Sequence, residues 1–147
     1  DTKVRDMIWK LETDMDDCTG ETMGYVLELL MANGAREAHY APTYTKKNRP
    51  AYTLTVICKD AEREKHENLI FAETTTIGIR RVQMERTILK REIQKKETSF
   101  GTVAAKVCTL PNGKTKCYPE YDNAVKLAKK NQISLQEAYD RIRSCWE

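Results

Sequence analysis

Residues 8–89 carry strand and helix patterns in the order β-α-β-β-α-β, and this order restricts the folds open to the chain more than any other feature. Residues 8–13 alternate apolar and polar side chains, as a half-buried strand does. An amphipathic helix pattern follows, with Thr19 suited to the N-cap and an Asn-Gly pair suited to the end. Residues 37–44 and 52–58 predict two strands joined as a hairpin through a basic turn.

The second half of this order comprises a helix and a long strand. Asp60 is suited to cap the helix, which we expect to end near Thr75. Residues 77–89 predict a strand whose apolar side chains change phase at Arg80-Arg81, as a β-bulge would require. The complete order is that of a split βαβ, so the predicted class is α+β, with a ferredoxin-like βαββαβ antiparallel sheet and helices on one face.

Residues 91–147 predict appended C-terminal strands followed by two short helices. Three strands are expected, the longest over residues 102–110. The last helix opens on a capping box, in which Ser134 is followed three residues later by Glu137. No repeat or linker interrupts the chain, so we expect one domain whose appended elements pack on the core formed by residues 8–90.

Composition and charge narrow the class of protein. No apolar run approaches the length of about 20 residues that a membrane-spanning helix needs, and the charged residues 1–5 do not resemble a signal peptide. The formal net charge of +3 gives only a weak field towards nucleic acid. The five cysteines are scattered without a C-x-x-C pair, which indicates free thiols in a reducing compartment. We expect a cytoplasmic protein with neither nucleic acid nor a membrane as partner.

An acidic cluster follows the first predicted strand. Its members are Glu12, Asp14, Asp16 and Asp17. Carboxylate oxygens at this spacing suit Mg²⁺ or Mn²⁺ shared with the phosphate oxygens of a ligand. The alternative is a solvated acidic turn in which Asp17 helps to cap the helix.

A basic cluster occupies the predicted hairpin turn, with Lys46, Lys47, Asn48 and Arg49 followed by Pro50. Lysines act as point charges and arginine as a planar fork, so together they suit a polyphosphate. The alternative is a solubilising hairpin tip.

A third cluster links the second helix to the following strand. Thr75 lies in a run of three threonines, and Gly78 precedes the pair Arg80 and Arg81. The hydroxyls and the glycine allow close approach of an anion, which the arginines could clamp. The alternative is a β-prone transition with no ligand.

A fourth and weaker group contains Lys106, Lys116 and Glu120, together with Tyr121. The tyrosine could stack on a nucleobase, although a core aromatic on the next helix is the simpler interpretation. One acidic and two basic clusters together are what a metal-triphosphate site requires. The sequence has neither G-x-x-x-x-G-K-[ST] nor G-x-G-x-x-G, so it lacks the usual glycine-rich nucleotide loops.

Nucleophilic catalysis is poorly supported by the sequence. His39 lies in a strand pattern and His66 on a charged helix face, and neither belongs to a recognised motif with Ser or Cys. We expect both to be surface or packing histidines. The spacing of cysteines and histidines likewise gives no support to a nickel site.

Five segments closely resemble the nickel insertion proteins of the LarC family. Residues 11–21, LETDMDDCTGE, match the form L-E-T-N-[ML]-D-D-M-[TS]-[GP]-E that opens the C-terminal domain in that family. The other four segments run in order along the chain, at residues 46–50, 70–80, 101–106 and 116–122. Asp14 stands where the family commonly has Asn, which adds a potential metal ligand, and Cys18 stands where it commonly has Met.

The resemblance implies a function. LarC-like proteins insert nickel into pyridinium-3,5-bisthiocarboxylic acid mononucleotide with hydrolysis of CTP, and the product is the nickel-pincer cofactor of lactate racemase. For this chain it implies the C-terminal, CTP-binding part of a longer nickel cyclometallase (a lyase), associated as a homo-oligomer such as a trimer or hexamer. The precursor and the nickel would involve the N-terminal part.

The matching motifs carry site residues across. The implied ligands of Mg²⁺ or Mn²⁺ are Asp14, Asp16 and Asp17. The implied triphosphate ligands are Lys46, Lys47, Arg49, Arg80 and Arg81, and the further nucleotide-binding candidates are Asn48, Thr75, Lys106, Lys116 and Glu120.

Two functions of other classes stay open. One is a non-catalytic ligand-binding or oligomerisation module of the ferredoxin-like type, because that fold alone does not determine function. The other is a nickel chaperone that uses the cysteines.

Overall fold

The computed structural model describes residues 1–147, which divide into two compact units. The first unit is residues 5–86, and the second is residues 87–147 with residues 1–4. No helix in the chain has both the length and the apolar character needed to cross a membrane.

The first unit contains the predicted alternation of strands and helices. Its elements are β1 (Lys3–Met15), α1 (Gly20–Ala32), β2 (Glu37–Thr45), a 3₁₀ turn (Lys46–Asn48), β3 (Arg49–Cys58), a second 3₁₀ turn (Asp60–Glu62), α2 (Arg63–Glu73) and β4 (Arg80–Leu89). The strands form one sheet in the order β2-β3-β1-β4, with β3 antiparallel to both β2 and β1. This order confirms the α+β, ferredoxin-like class.

The core of this unit lies between the sheet and its two helices. Leu11, Leu54 and Val56 from the sheet are fully buried against Leu30 of α1 and Ile70 of α2. Because side chains alternate along a strand, the intervening residues of β1 point to the face opposite the helices. The sheet therefore has one apolar face under the helices and one polar face.

Helix α1 begins and ends as predicted. The Thr19 hydroxyl accepts a hydrogen bond from the backbone N–H of Thr22 at 3.1 Å, which satisfies one unpaired donor at the helix start. At the other end, Gly34 has a φ of 94°, a conformation that glycine adopts without a steric penalty.

The start of α2 differs from the prediction. Asp60 does not cap a helix, because its carboxylate accepts a hydrogen bond from the Trp9 indole at 2.6 Å. A 3₁₀ turn comes first, and α2 then runs from Arg63 to Glu73 without a side-chain cap, ending two residues before Thr75.

The strand expected from residue 77 begins only at Arg80. Thr74 donates to the Ile70 carbonyl at 2.6 Å, and Thr76 shares a 2.6 Å hydrogen bond with the buried Thr13. Side-chain hydrogen bonds thus hold the threonines in an irregular link, as short hydroxyl side chains often do. The predicted phase change at Arg80 falls at the start of β4.

The second unit has a separate sheet. Its elements are β5 (Arg91–Thr98), β6 (Gly101–Thr109), β7 (Thr115–Pro119), α3 (Tyr121–Asn131) and α4 (Leu135–Ser144), and the strands pair antiparallel in the order β5-β6-β7. The three appended strands and two short helices are therefore present.

The second unit also has a hydrophobic core of its own. Val103 and Ala105 of β6 contact Leu127 of α3 and Ile142 of α4. Alternation along β6 and two short amphipathic helices supply a complete apolar layer.

The cap of α4 follows the prediction only in part. The Ser134 hydroxyl accepts from the Glu137 backbone N–H at 3.0 Å, as in a capping box. The Glu137 carboxylate, however, pairs with Arg141 one turn further on, at 2.8 Å.

Candidate functional site

The acidic residues of β1 lie on the face of the sheet opposite the helices. Leu11, Thr13 and Met15 are buried under the helices, so the alternating residues Glu12 and Asp14 point the other way. The period of the strand thus separates the carboxylates from the core and aligns them along one surface.

Arg80 links two of these carboxylates. Strand β4 is the neighbour of β1, and the Arg80 guanidinium donates to Glu12 at 3.0 and 3.2 Å and to Asp14 at 3.1 Å. The hydrogen bond from Arg80 lowers the pKa of Glu12, and the same bond raises the pKa of Arg80. Both groups are therefore charged at neutral pH.

The turn between β2 and β3 brings basic side chains to the end of β1. Arg49 Nη1 lies 3.4 Å from Asp16 Oδ2. Lys46 and Thr45 line an open groove of about 360 Å³ together with Asp14 and Asp16. The first two charge clusters of the sequence, which are about 30 residues apart, therefore meet in one place.

The turn itself has an unusual backbone. Lys47 and Asn48 have φ values of 60° and 57°, in the left-handed region that few residues other than glycine and asparagine adopt. Two consecutive left-handed residues reverse the chain within the 3₁₀ turn and place the flanking Lys46 and Arg49 beside the carboxylates. Neither Lys47 nor Asn48 makes an ion pair.

The three aspartates predicted as metal ligands do not form one cluster. Asp14 and Asp16 share the groove, whereas Asp17 accepts a hydrogen bond from Thr75 at 2.5 Å. No group of three or more His, Cys, Asp or Glu side chains is arranged to hold a metal ion. Two carboxylates beside a lysine fit Mg²⁺ or Mn²⁺ only when ligand phosphates and water complete the coordination, which is the usual arrangement for Mg²⁺.

Arg81 lies on the other face of the sheet from Arg80. It pairs with Glu67 of α2 at 3.1 Å, and its guanidinium carbon is 5.7 Å from the centroid of the Trp9 ring. Arg63 lies over the same ring at 5.1 Å. The structure therefore does not bring Arg81 to the groove, where the sequence had grouped it with Arg80.

An apolar groove adjoins the charged one. Its volume is about 310 Å³, and it shares Asp16 with the charged groove. Tyr44, Pro42 and Pro50 line it, and the Tyr44 side chain is 72% exposed. No motif in the sequence indicates this groove, because an aromatic residue near the end of a β-rich segment gives no signal of its own.

The weaker fourth group lies in the second unit. Lys106 is on β6 and Lys116 on β7, while Glu120 immediately precedes α3. Tyr121 is 62% exposed, so the expectation that it is a core aromatic is wrong. These residues are in a different unit from Asp14 and Lys46.

Comparison with known proteins identifies the family. Residues 1–139 match the family described as nickel insertion protein. The chain belongs to this family. A pyridinium-3,5-bisthiocarboxylic acid mononucleotide nickel insertion protein of Alkaliphilus metalliredigens is 44% identical over 134 residues, covering 91% of this chain and 32% of that protein. One of the same name from Acetivibrio thermocellus is 40% identical over 140 residues, covering 95% of this chain and 34% of that protein. The chain thus spans about a third of these relatives.

One solved structure agrees with this family assignment, and a second shares the fold. The C-terminal domain of a cyclometallase involved in the synthesis of the NPN cofactor of lactate racemase, in its apo form, matches with a TM-score of 0.84 and 36% identity, over 93% of this chain and 94% of that one. A protein from Methanopyrus kandleri AV19 has a TM-score of 0.73 at 21% identity, over 95% of this chain and 88% of that one, and shows the fold alone.

Because the family inserts nickel, the thiol and imidazole groups of the chain are considered as possible metal ligands. All five cysteines are free, and Cys58 is fully buried, which raises the pKa of its thiol to about 11. His39 is half-exposed beside Glu37, whereas His66 is fully buried rather than on a charged surface, and neither of its ring nitrogens has a hydrogen-bond partner. Both histidines thus match the surface-or-packing expectation.

Proposed function

We propose that this chain is the nucleotide-binding part of a protein that inserts nickel into pyridinium-3,5-bisthiocarboxylic acid mononucleotide, and that it binds CTP with Mg²⁺ or Mn²⁺. The observation that carries the proposal is the meeting of two carboxylates, Asp14 and Asp16, with Lys46 and Arg49 at one groove. The acidic groups lie at the end of β1 and the basic groups at the turn between β2 and β3, and their combination suits a metal-bound triphosphate.

The ion pairs at the groove suggest how the ligand enters. Arg80 pairs with Asp14, and Arg49 pairs with Asp16. Asp14 and Asp16 would hold the divalent cation, which would supply positive charge to offset the phosphate oxygens. Arg80 and Arg49 would donate to the triphosphate, for which the guanidinium fork is well shaped. In the absence of a cation, the negatively charged phosphates would lie beside the negatively charged Asp14 and Asp16. Nucleotide affinity should therefore depend on the metal.

The apolar groove supports a position for the nucleoside. It shares Asp16 with the charged groove, and the exposed Tyr44 lines it. Stacking of a base on an aromatic ring contributes about 1 to 3 kcal/mol in single-stranded nucleic-acid complexes. We place the cytidine in this groove.

The contribution of the chain to catalysis is positioning and charge. Phosphoryl transfer needs little covalent participation by the protein, and no histidine or cysteine lines either groove except Cys18. We infer that CTP hydrolysis is completed in the full-length cyclometallase, where the mononucleotide and the nickel involve the N-terminal part. We also infer that the domain associates as a homo-oligomer, which light scattering on the purified chain tests directly.

Calorimetric titration of the chain with CTP, with and without Mn²⁺, tests the proposal. Arg49→Ala or Lys46→Ala should weaken metal-dependent binding by about 1.5 to 3 kcal/mol for each lost charged contact. Lys59→Ala is the matched control, because Lys59 is an exposed lysine of the same unit that lines neither groove.

Two results would count against the proposal. Unchanged CTP affinity in both Lys46→Ala and Arg49→Ala would exclude the turn from the site. Triphosphate binding that is indifferent to the metal would instead favour a non-catalytic ligand-binding module.

A further inference from the structure

A third groove lies entirely within the second unit, between β5 and α3. Its volume is about 450 Å³, which falls in the range of small-molecule sites. Three lysines from two elements line it, Lys95 of β5 with Lys126 and Lys130 of α3. We call it the lysine groove.

The groove exists because β7 is short. Strand β7 ends at Pro119, opposite Ala105, and beyond that point the Asn123 side chain pairs with the edge of β6. Asn123 Oδ1 accepts from the Ala104 N–H at 2.9 Å, and Asn123 Nδ2 donates to the Thr102 carbonyl at 2.9 Å. Helix α3 is thereby fixed alongside β6 where a longer strand would have filled the space.

The floor of the lysine groove is built from small residues. Gly101, Thr102 and Ala104 lie beneath the side chains of β5 and α3. Gly101 has a φ of 128°, and a Cβ there would lie 2.8 Å from Leu127 Cδ2 and 3.5 Å from Lys130 Nζ. A side chain at this position would be strained, which favours glycine, and the Lys130 ammonium group lies close to the floor.

The lysines of the groove have no protein partner. None of the three takes part in an ion pair or donates a side-chain hydrogen bond, although in the same unit Lys96 donates to the Cys145 carbonyl at 2.6 Å and Arg141 pairs with Glu137. Two carboxylates, Glu120 and Asp122, line the groove at the start of α3 and are also unpaired. The groove thus carries three cationic and two acidic side chains, none of them paired.

The remaining wall is apolar. Ile93 is 54% exposed and is paired in register with Lys106, on the same face as Lys95 and Ala104. An exposed isoleucine beside an alanine floor offers contact to an organic group, since burying such a side chain is favourable. Inorganic phosphate alone would leave this wall uncovered.

We propose that the lysine groove is a second ligand site, which binds a phosphorylated small molecule. The phosphate lies among Lys95, Lys126 and Lys130, the organic body covers Ile93 and Ala104, and the carboxylates of Glu120 and Asp122 accept hydrogen bonds from donors on that body. This site does not depend on the CTP proposal, because it shares no residue with the grooves of the first unit.

The test is amide chemical-shift mapping on the ¹⁵N-labelled chain with two probes, inorganic phosphate and ribose 5-phosphate, without divalent metal. We expect shifts at Gly101, Thr102 and Lys126, with ribose 5-phosphate binding more tightly than phosphate. Lys126→Gln should weaken binding about 10- to 150-fold, as expected for one lost charged contact. Lys129→Gln, on the same helix and outside the groove, should leave the affinity unchanged.

Three outcomes would overturn the inference. Absence of shifts at Gly101 and Thr102 with either probe removes the site. Equal losses for Lys129→Gln and Lys126→Gln indicate unspecific attraction to charge. Equal affinity for phosphate and ribose 5-phosphate indicates an adventitious ion only. Lys95→Gln, on β5, provides a second variant should Lys126→Gln disturb α3.

Discussion

At the scale of single residues, side chains that are adjacent in sequence contact different partners. Arg80 clamps Glu12 and Asp14 on the polar face of the sheet, while Arg81 pairs with Glu67 on the helix side. The two-residue period of a strand forces this division, because successive side chains point to opposite faces. The two arginines therefore lie on different faces of the sheet, although they belong to one sequence motif.

His66 is a buried titratable residue of the first unit. Its side chain is fully buried on α2, one turn from the buried Ile70, and both ring nitrogens lack partners. Burial lowers the pKa of His66 below 6.5, with a smaller lowering from Lys65 and an opposing effect of Glu62. The neutral imidazole is therefore the form that the fold accommodates.

The native state should lose stability as the pH falls below 6.5. A pKa that is lower in the folded than in the unfolded chain means that the unfolded chain binds more protons in this window. The contribution is fully present above pH 6.5 and is lost towards the lowered native pKa, at up to about 1.4 kcal/mol per pH unit. Urea unfolding between pH 5 and 7 measures this dependence.

Two variants separate His66 from other groups. His66→Leu should remove the slope between pH 5 and 7 whatever its overall stability, while His39→Gln at an exposed position should keep it. Asp6, Glu12 and Glu62 have lowered pKa values and titrate below this window. A slope that persists in His66→Leu would show that the buried histidine is not its source.

At the scale of elements, the β2–β3 hairpin organises the candidate nucleotide site. Its left-handed turn at Lys47 and Asn48 puts Lys46 and Arg49 beside the acidic end of β1. The adjoining strand segments contribute Tyr44 and Pro50 to the apolar groove. One hairpin therefore supplies both the cationic and the aromatic surfaces that a nucleotide would use.

Tyr44→Ala should weaken CTP binding about 5- to 150-fold, in proportion to a lost stacking contact of about 1 to 3 kcal/mol. The affinity for inorganic tripolyphosphate should stay unchanged, because that ligand has no base. Calorimetry with both ligands in Mn²⁺ separates the two grooves, and Tyr25→Ala, at an exposed position on α1, is the control.

The affinities for CTP and tripolyphosphate show which part of the proposed site is wrong. If Tyr44→Ala weakens both ligands equally, the nucleoside does not lie in the apolar groove. If neither ligand binds the unaltered chain, the triphosphate site itself is absent from this chain alone.

At the scale of the whole molecule, the two units have separate hydrophobic cores. The first core lies under α1 and α2 and includes Leu11 and Leu54, whereas the second joins Val103 of β6 to Ile142 of α4. Neither core cluster includes a residue of the other unit.

Ile142→Ala should destabilise the second unit by about 2 to 5 kcal/mol, through lost transfer free energy and a residual cavity. Hydrogen exchange should then become faster at Val103 and Ala105, while amides of β1 and β3 keep their protection. Leu11→Ala should give the reverse pattern. Equal acceleration in both units would show that they unfold as one cooperative body.

The sequence by itself determined the class of fold and the location of the charge clusters. Period-two and period-3.6 patterns are local properties of the chain, so β1, α1 and the hairpin were found from residues 8–58 alone. Thr19 as a cap and the Asn-Gly stop depend only on hydrogen bonds within a turn or two, and both are as predicted. The resemblance to the nickel insertion family also rests on short contiguous motifs.

Only the tertiary structure decided which of these residues share a surface. It separated Arg81 from Arg80, engaged Asp60 with Trp9 instead of a helix, and gave residues 91–147 a core of their own. It also revealed the apolar groove beside Tyr44 and the lysine groove beside Lys130, which no sequence motif indicates. Strand pairing and packing join residues far apart in the chain, and such contacts depend on competition among many surfaces that no local pattern records.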